Sequence, residues 1–212
     1  MLYKSISSQT LQRLPVYLKL LKSLPDDKIT NISATAIAEA LRLNDVQVRK
    51  DLALVSSGGR PKIGYQTKNL ICDIEKFLGY DNVDSAVLAG AGSLGQALLS
   101  YDGFSKYGLN IVAAFDVNGA VIDTAVNGKQ VLSSEKLKDL CSRMKVRIGI
   151  IAVPPASAQD ICDQMVESGI LAIWNFSPVT LQVPDHVLVH NEDLAFSLAR
   201  LSKNLSDRIG MV

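Results

Sequence analysis

The chain has 212 residues, of which 48% are apolar and 20% charged, a composition that suits one or two ordinary globular domains. Its net charge of +1 is unevenly distributed, because residues 1–75 carry eleven Lys and Arg against seven Asp and Glu, whereas the remainder carries eleven against fourteen. The basic first part suits binding to nucleic-acid phosphates, although a solvated surface would carry the same small excess.

The sequence shows no secretory or transmembrane segment. Residues 1–21 contain three basic side chains and no unbroken apolar core, and the longest apolar run, residues 148–153, is far too short to cross a bilayer. The three cysteines lie far apart without a metal-binding pattern, as expected of reduced thiols in a cytosol. They are Cys72, Cys141 and Cys162. We therefore expect a cytoplasmic protein that binds neither a membrane nor a metal ion.

Three short helices are predicted in the first domain. Apolar residues at helical spacing predict the first over residues 14–24, because Pro15 suits a first turn. Ser33 is placed to cap a second helix that reaches residue 43, and a break at residues 44–45 precedes a third helix over 46–55. A pair of short helices joined by a tight turn is the arrangement that enters a DNA major groove.

The third helix and the segment after it carry the candidate DNA contacts. Val48, Leu52 and Val55 form the inner stripe of the helix, which leaves polar side chains exposed. Residues 56–65 predict a glycine-rich hairpin, or wing, which places cations beside phosphates or in the narrower groove. A small helical bundle with a solvated basic face is the alternative. The predicted DNA contacts are Gln47, Arg49, Lys50, Arg60 and Lys62.

The second domain begins with a dinucleotide-binding pattern. Residues 86–89 predict a buried strand, and three glycines at the dinucleotide spacing follow it before a helix that extends to Tyr101. These glycines permit a tight turn, close approach of backbone amides to a pyrophosphate, and close packing of helix on strand. A glycine-rich turn without function is the alternative. The predicted cofactor contacts in this turn are Gly90, Ala91, Gly92, Ser93, Leu94 and Gly95.

An acidic residue follows at the expected distance. A second strand over residues 109–115 ends at Asp116, which lies 21 residues beyond Gly95. A carboxylate there accepts hydrogen bonds from both hydroxyls of an adenosine ribose and repels a 2′-phosphate. The sequence therefore predicts binding of NAD(H) in preference to NADP(H).

Strands and helices then continue to alternate, which is typical of a doubly wound parallel sheet. Pro154 and Pro155 end a predicted strand at its carboxyl end, where ligands bind in open α/β sheets, so Val153 and Pro154 are also predicted to contact the cofactor. The predicted elements are a helix over 134–143, a strand over 146–153, a helix over 157–168 and a strand over 171–175.

The last segment predicts a helix with a narrow apolar stripe. Asn191 or Asp193 is placed to cap it, and the helix packs either on its own domain or on a partner's. Periodicity does not decide between these two arrangements. The stripe consists of Leu194, Leu198, Leu201, Leu205 and Ile209.

No catalytic residue is assigned, because no convincing proton donor is present. His186 and His190 flank a short strand over 187–189, where exposed or capping histidines are common. A nucleotide site joined to a DNA reader favours a sensor over an enzyme. An NAD-dependent oxidoreductase with a DNA-binding-like accessory domain is the leading alternative. A regulator that binds CoA or another nucleotide and a thiol sensor that uses the cysteines are further alternatives.

Together these motifs resemble the Rex family of redox-sensing bacterial transcriptional repressors over nearly the full chain. The matching stretches are VRKDL at 48–52, GY at 64–65, GAGSLG at 90–95, FD at 115–116, VP at 153–154, AQ at 158–159, NFSP at 175–178 and NEDL at 191–194. Two departures stand out. The wing has VSSGGRPK at 55–62 in place of the family's FGEFGKRG, and the basic residue that often follows the ribose aspartate is missing after Asp116.

The resemblance implies a homodimer that binds a palindromic operator, either with NAD⁺ or without ligand, and releases it when NADH binds. It implies a winged-helix domain over 1–78, a Rossmann-like NAD(H)-binding domain over 79–190, and a C-terminal dimerisation helix over 191–212 that is exchanged between subunits. It also implies an interdomain switch that, by motif, consists of Arg13, Tyr101 and Asp193. Tyr101 is further expected to contact the cofactor.

Overall fold

The structure, a computed structural model, describes residues 6–25, 30–80 and 84–210. The chain divides into two compact units, residues 1–81 and residues 82–212, and each unit has hydrophobic cores of its own. Among the helices of these ranges, none combines the length and the apolar character that a membrane-spanning segment requires.

The first unit is a winged helix-turn-helix domain, as predicted. Four helices pack around a core that includes Leu14, Tyr17, Ile37 and Leu52, and two short strands pair antiparallel beside them. Its elements are α1 (Ser8–Ser23), β1 (Asn31–Ile32), α2 (Ala34–Leu41), α3 (Asp45–Val55), β2 (Tyr65–Gln66) and α4 (Thr67–Leu78).

The expected start of the first helix is wrong. Helix α1 begins at Ser8, because the Ser7 hydroxyl oxygen accepts a hydrogen bond from the Thr10 amide and caps the first turn. Pro15 therefore lies inside the helix, where it removes one backbone donor. The packing of side chains on both sides of this position, including the fully buried Leu14 and Tyr17, outweighs that loss.

The wing is smaller than the predicted hairpin. The pairing within it is the bridge between Arg60 and Gly64, and the following strand β2 pairs with β1. The carbonyl of Arg60 accepts hydrogen bonds from the amides of Ile63 (3.2 Å) and Gly64 (2.9 Å). Pro61 at the second position of this turn and a positive φ of 65° at Lys62 place Lys62 at the tip of the wing.

The second unit alternates strands and helices as predicted. Its core lies on both faces of the sheet, with α6 and α7 on one face and α5 on the other. Its elements are β3 (Asp84–Ala89), α5 (Ser93–Ser100), a 3-10 helix (Asp102–Tyr107), β4 (Leu109–Asp116), β5 (Ala125–Val126), β6 (Lys129–Ser133), a 3-10 helix (Ser134–Lys136), α6 (Leu137–Met144), β7 (Ile148–Ile151), α7 (Pro155–Glu167), β8 (Ala172–Asn175), β9 (Leu188–Asn191) and α8 (Leu194–Ile209).

The strands form a sheet in the order β5-β6-β4-β3-β7-β8-β9. Every pairing in it is parallel except that of the edge strand β5 with β6, so the predicted Rossmann-like doubly wound sheet is confirmed. The chain builds outward from β3 in both directions, and the carboxyl ends of β3 and β7 flank the point where the strand order reverses. Ligands bind at this point in open α/β sheets.

Helix α8 leaves its apolar stripe uncovered. Asp193 caps it by accepting a hydrogen bond from the Phe196 amide at 2.8 Å, and every residue from 195 to 210 is exposed. Apolar side chains along it are between 55% and 65% exposed. These are Phe196, Leu198, Leu201, Leu205 and Ile209.

Candidate functional site

The turn between β3 and α5 packs tightly against its surroundings. Gly90 has a φ of +97°, and a Cβ at this position would overlap the backbone carbonyl of Ala152, the residue after β7. A Cβ on Gly95 would likewise overlap the carbonyl oxygen of Gly90. Only glycine allows this close approach of strand, turn and helix, so the backbone geometry is that of a dinucleotide-binding turn.

The outer side of the same turn is open. A Cβ on Gly92 would meet no atom within 4 Å, and Gly92 begins α5 without a side-chain cap for the first amides of the helix. The first turn of a helix has backbone N–H groups that lack partners within the helix, and these groups bind phosphate well. The amides that follow Gly92, in Ser93 and Leu94, are therefore available to an anion.

The Asp116 carboxylate is hydrogen-bonded directly to the backbone of this turn. It is the last residue of β4, and its Oδ2 accepts a hydrogen bond from the Ala91 amide at 2.7 Å, while Oδ1 accepts one from the Asn118 amide at 2.9 Å. A carboxylate has about four acceptor positions, so both oxygens keep capacity for ribose hydroxyls. The two backbone contacts hold the carboxylate in one orientation beside the glycine turn.

A cavity of about 500 Å³ lies at this point of the sheet. Five of the predicted cofactor contacts line it, namely Gly90, Gly92, Asp116, Val153 and Pro154. Ala91 contributes its amide to Asp116, while Ser93, Leu94 and Gly95 form the first turn of α5.

Sequence reasoning missed the opposite wall of the cavity. Positions 157, 160, 161 and 164 all lie within helix α7, which begins at Pro155. Their spacing of three and four residues places them on one face of the helix. That i, i+3, i+4, i+7 spacing directly after the predicted Pro154 contact was a usable signal. These additional lining residues are Ser157, Asp160, Ile161 and Gln164, and Ser134 lines the cavity from a 3-10 helix.

Within one chain, Tyr101 lies outside the described lining of this cavity, so its expected contact with the cofactor stays a prediction. Tyr101 follows α5 at the end opposite to Gly92, and eight helical residues span about 12 Å. Its ring packs edge-on against Phe104 at 4.9 Å and lines a separate, polar pocket with Asp102 and Lys129. The family resemblance predicted Tyr101 at the cofactor by motif. Its position within one chain follows instead from the direction of α5, which runs away from the carboxyl edge of the sheet.

Tyr101 nevertheless begins a row of aromatic rings. The ring centroids of Phe104 and Trp174 are 5.6 Å apart, and those of Trp174 and Phe176 are 4.9 Å apart. The Trp174 indole donates a hydrogen bond to the Glu192 carboxylate at 3.2 Å, next to Asp193, the cap of α8. Contacts within this unit therefore run from Tyr101 to the start of α8.

Arg13, the third predicted switch residue, is held inside the first unit. Its Nε and one terminal nitrogen donate hydrogen bonds to the two carboxylate oxygens of Asp51 at 2.7 and 3.0 Å. Arg13 is thus part of the packing of α1 on α3.

In the first unit, three of the predicted DNA contacts line one groove. A cavity of about 520 Å³ is bordered by Arg49 of α3, Arg60 and Lys62 of the wing, and the start of α2. The Arg49 side chain is exposed and pairs with Asp45 at 3.3 Å, one helical turn away. Lys50 is exposed on α3 outside this groove, and the Gln47 side chain donates to Asp51. The sequence prediction therefore located a surface with three cations around one concave region.

Two of the three cysteines are inaccessible. Cys141 of α6 and Cys162 of α7 are buried in the core, and burial raises the pKa of each thiol to about 11. Cys72 of α4 is exposed. Because the thiolate is the reactive form, the two buried cysteines suit core packing rather than redox sensing.

Comparison with known proteins agrees with both sites. A family model described as "CoA binding domain" matches residues 81–179, and one described as "Putative DNA-binding protein N-terminus" matches residues 5–53. The chain is 43% identical to the redox-sensing transcriptional repressor Rex of Treponema denticola, over 92% of this chain and 93% of that protein. It is 42% identical to Rex of Pelotomaculum thermopropionicum over 94% of each.

Solved structures give the same result. RSP, a Rex-family repressor, in complex with NAD⁺ and operator DNA matches with a TM-score of 0.91 at 33% identity, over 98% of this chain and 96% of that one. The NADH complex of RSP matches with a TM-score of 0.86 over 97% of each chain. Identity above 40% over more than nine-tenths of the chain, together with these folds, shows that the protein belongs to the Rex family of redox-sensing transcriptional repressors.

Proposed function

We propose that this protein is a repressor that binds operator DNA through residues 1–78, binds NAD⁺ or NADH through residues 79–190, and releases the DNA when NADH binds. The observation that carries this proposal is the junction of Asp116 with the Ala91 amide beside an open cavity at the reversal point of the sheet. RSP, a relative of the same fold, binds NAD⁺, NADH and operator DNA. We also propose that it acts in the cytoplasm.

The charges of the cavity favour NAD(H) over CoA and NADP(H). Its lining includes the carboxylates of Asp116 and Asp160 and, among the described residues that line it, no Lys, Arg or His. The ribose 3′-phosphate of CoA and the 2′-phosphate of NADP(H) would add negative charge beside Asp116 without a compensating cation. A free ribose diol instead donates hydrogen bonds to that carboxylate.

Contacts to the adenosine and pyrophosphate do not distinguish the oxidation states of the cofactor. NAD⁺ and NADH share these parts, so Gly92, Gly95 and Asp116 favour both forms nearly equally, and a ligand of equal affinity for two conformations shifts neither. Reduction removes the positive charge of the nicotinamide ring. We propose that the neutral ring enters an apolar environment near Pro154, where burial of a cation costs more. A shift in population from 1:99 to 99:1 requires about 5.5 kcal/mol of differential binding.

The concave basic surface of the first unit supports DNA binding. Arg49, Arg60 and Lys62 surround a groove, and phosphate contacts from such side chains supply the sequence-independent part of affinity. We propose that Lys50 and Gln47, on α3, contribute further contacts. Lys62 is placed at the wing tip by the Pro61 turn, so the divergent wing sequence still presents a cation.

A second copy of the chain is the proposed partner of α8. An apolar stripe more than half exposed along 16 residues is costly in water, and burial of its side chains contributes about 25 cal/mol per Å². We propose that residues 191–212 of each copy pack on the other and that Arg13, Tyr101 and Asp193 act in the switch. The row of aromatic rings from Tyr101 to Trp174, with the hydrogen bond from Trp174 to Glu192, supports a role for α8 in that switch.

The alternative of an NAD-dependent oxidoreductase has no support from the described lining of the cavity, which contains no histidine. His190 at the end of β9 is exposed and pairs with Glu192 at 3.3 Å, and it is absent from the described lining of the cavity. The curated relatives are named as repressors.

The proposal is tested by fluorescence anisotropy on a palindromic duplex selected by the protein itself from a random pool. NADH, NAD⁺, NADPH and CoA are added separately at one salt concentration, because salt alone shifts such affinities by orders of magnitude. We expect NADH to release the duplex at concentrations where NADPH and CoA do not. Release by CoA and not by NADH would refute the assignment of the cavity.

A further inference from the structure

A buried carboxylate joins α1 to the DNA-facing helix α3. Asp51 is 1% exposed and, among the described residues, accepts five hydrogen bonds from four side chains. The donors lie on both helices. They are Thr10 (3.1 Å), Arg13 (2.7 and 3.0 Å), Tyr17 (2.8 Å) and Gln47 (2.9 Å).

This carboxyl group is held in its ionised form. Burial is the largest single effect and raises the pKa of Asp51, but the hydrogen bonds from Arg13, Tyr17, Gln47 and Thr10 together outweigh it and keep the pKa below its ordinary value. The pKa of the Tyr17 phenol is raised instead, to about 12, because the group is buried and donates a hydrogen bond to Asp51. An ionised carboxylate accepts hydrogen bonds and donates none.

That property determines the orientation of the Gln47 amide. Only the nitrogen of a glutamine amide donates, so Nε2 must face Asp51, one helical turn away, and Oε1 must face elsewhere. Gln47 is exposed in the first turn of α3, and the amino-terminal residues of a recognition helix contact base edges. The carbonyl oxygen, turned away from Asp51 on an exposed side chain, is therefore the acceptor that Gln47 can present to a DNA major groove.

We propose that Asp51 is a positioning residue for base recognition, which makes Gln47 present a carbonyl acceptor to the DNA. This inference rests on the proposed DNA binding of the first unit. In the major groove, the N6 amine of adenine and the N4 amine of cytosine donate hydrogen bonds, whereas guanine presents only the O6 and N7 acceptors. Gln47 then favours adenine or cytosine at one position of each half-site.

Selection from randomised inverted repeats, followed by sequencing, tests the proposal with four proteins: the unaltered chain, D51N, Q47A and the double variant. D51N keeps the shape of the side chain but offers its own amide, which allows the Gln47 amide to turn over. We expect D51N to lose about 5-fold of the discrimination against guanine at one position and to leave the salt dependence unchanged. The double variant should select the same sequences as Q47A, because Asp51 acts through Gln47.

A matched control is D73N, since Asp73 of α4 also accepts a side-chain hydrogen bond, from Ser56, within the same unit. It should not change base preference. A D51N effect that is equal for all sequences, or that adds to that of Q47A, would show a merely structural role and overturn the proposal.

Base analogues test the same orientation in the unaltered protein, whether or not D51N folds. At the selected position, purine in place of adenine, or 2-pyrimidinone in place of cytosine, removes the donor and should weaken binding about 5-fold, but not in Q47A. If these analogues bind as tightly as the natural bases, the inference about Gln47 is overturned while the proposed DNA binding stands. Failure of the unaltered protein to select any sequence would overturn the proposed function with it.

Discussion

Replacement of Asp116 by alanine should weaken the binding of NADH and NAD⁺ by the same factor. The carboxylate is oriented by the Ala91 and Asn118 amides, so its remaining acceptor positions face the ribose without further ordering. Hydrogen bonds to a charged group contribute about 1.5–3 kcal/mol each. Loss of even one such contact, at ~2–3 kcal/mol, corresponds to about 30- to 150-fold in Kd. The binding of NADP(H), which the carboxylate repels, should weaken less or improve.

Calorimetric titration of the purified protein with each cofactor measures this effect. Asp163→Ala is the matched control, because Asp163 is exposed on α7 and bonded to Gln159 but is not among the residues that line the cavity. It should leave all affinities within about 2-fold. Unchanged NADH affinity in Asp116→Ala would refute the ribose contact. A loss of affinity confined to NADH would refute the argument that adenosine contacts contribute equally to the binding of NAD⁺ and NADH.

Four further outcomes are expected. Gly95→Ala should lower the Tm of the second unit by several degrees in calorimetry and weaken both cofactor forms, because its Cβ overlaps the Gly90 carbonyl; an unchanged Tm would contradict this close approach. Lys50→Ala should reduce the slope of log K against log salt by about 1 if Lys50 meets a phosphate, and an identical slope would remove it from the interface. Leu201→Asp should shift sedimentation toward the monomer, and a persistent dimer would place the interface elsewhere. The pKa of Asp51 in the folded protein lies below its ordinary value of 3.8, so the ionised carboxylate contributes its full stabilisation above pH 3.8. This contribution is lost as the pH falls through the folded pKa. The free energy of unfolding of D51N should therefore fall less with acid than that of the unaltered chain.

The sequence predicted the second unit better than the first. Glycine spacing, buried strands and Asp116 are local signals of one turn, and the structure brings them together at the reversal point of the sheet. In the first unit, α1 begins at Ser8 because a hydroxyl cap and core packing outweigh the preference of Pro15 for a first turn. Helix α4 was not predicted, although Leu70 and Ile74 face inward at helical spacing.

The remaining differences come from long-range geometry. Asp160 and Gln164 reach the cavity because α7 runs along it, whereas Tyr101 of the same chain follows the far end of α5. The hydrogen bonds from α1 to Asp51 join residues 34 to 41 positions apart in the sequence, so periodicity within one helix does not reveal them. A sequence pattern thus predicted the glycine turn beside the cavity, while the direction of each helix decided which other side chains surround it.

The central claim is that reduction of the nicotinamide ring decides whether the protein holds its operator. Its most direct test is the Kd for the selected duplex at fixed salt, measured once with saturating NAD⁺ and once with saturating NADH. We expect binding at least 100-fold weaker with NADH, which corresponds to about 2.7 kcal/mol. Equal Kd values for the two saturated forms would contradict the claim.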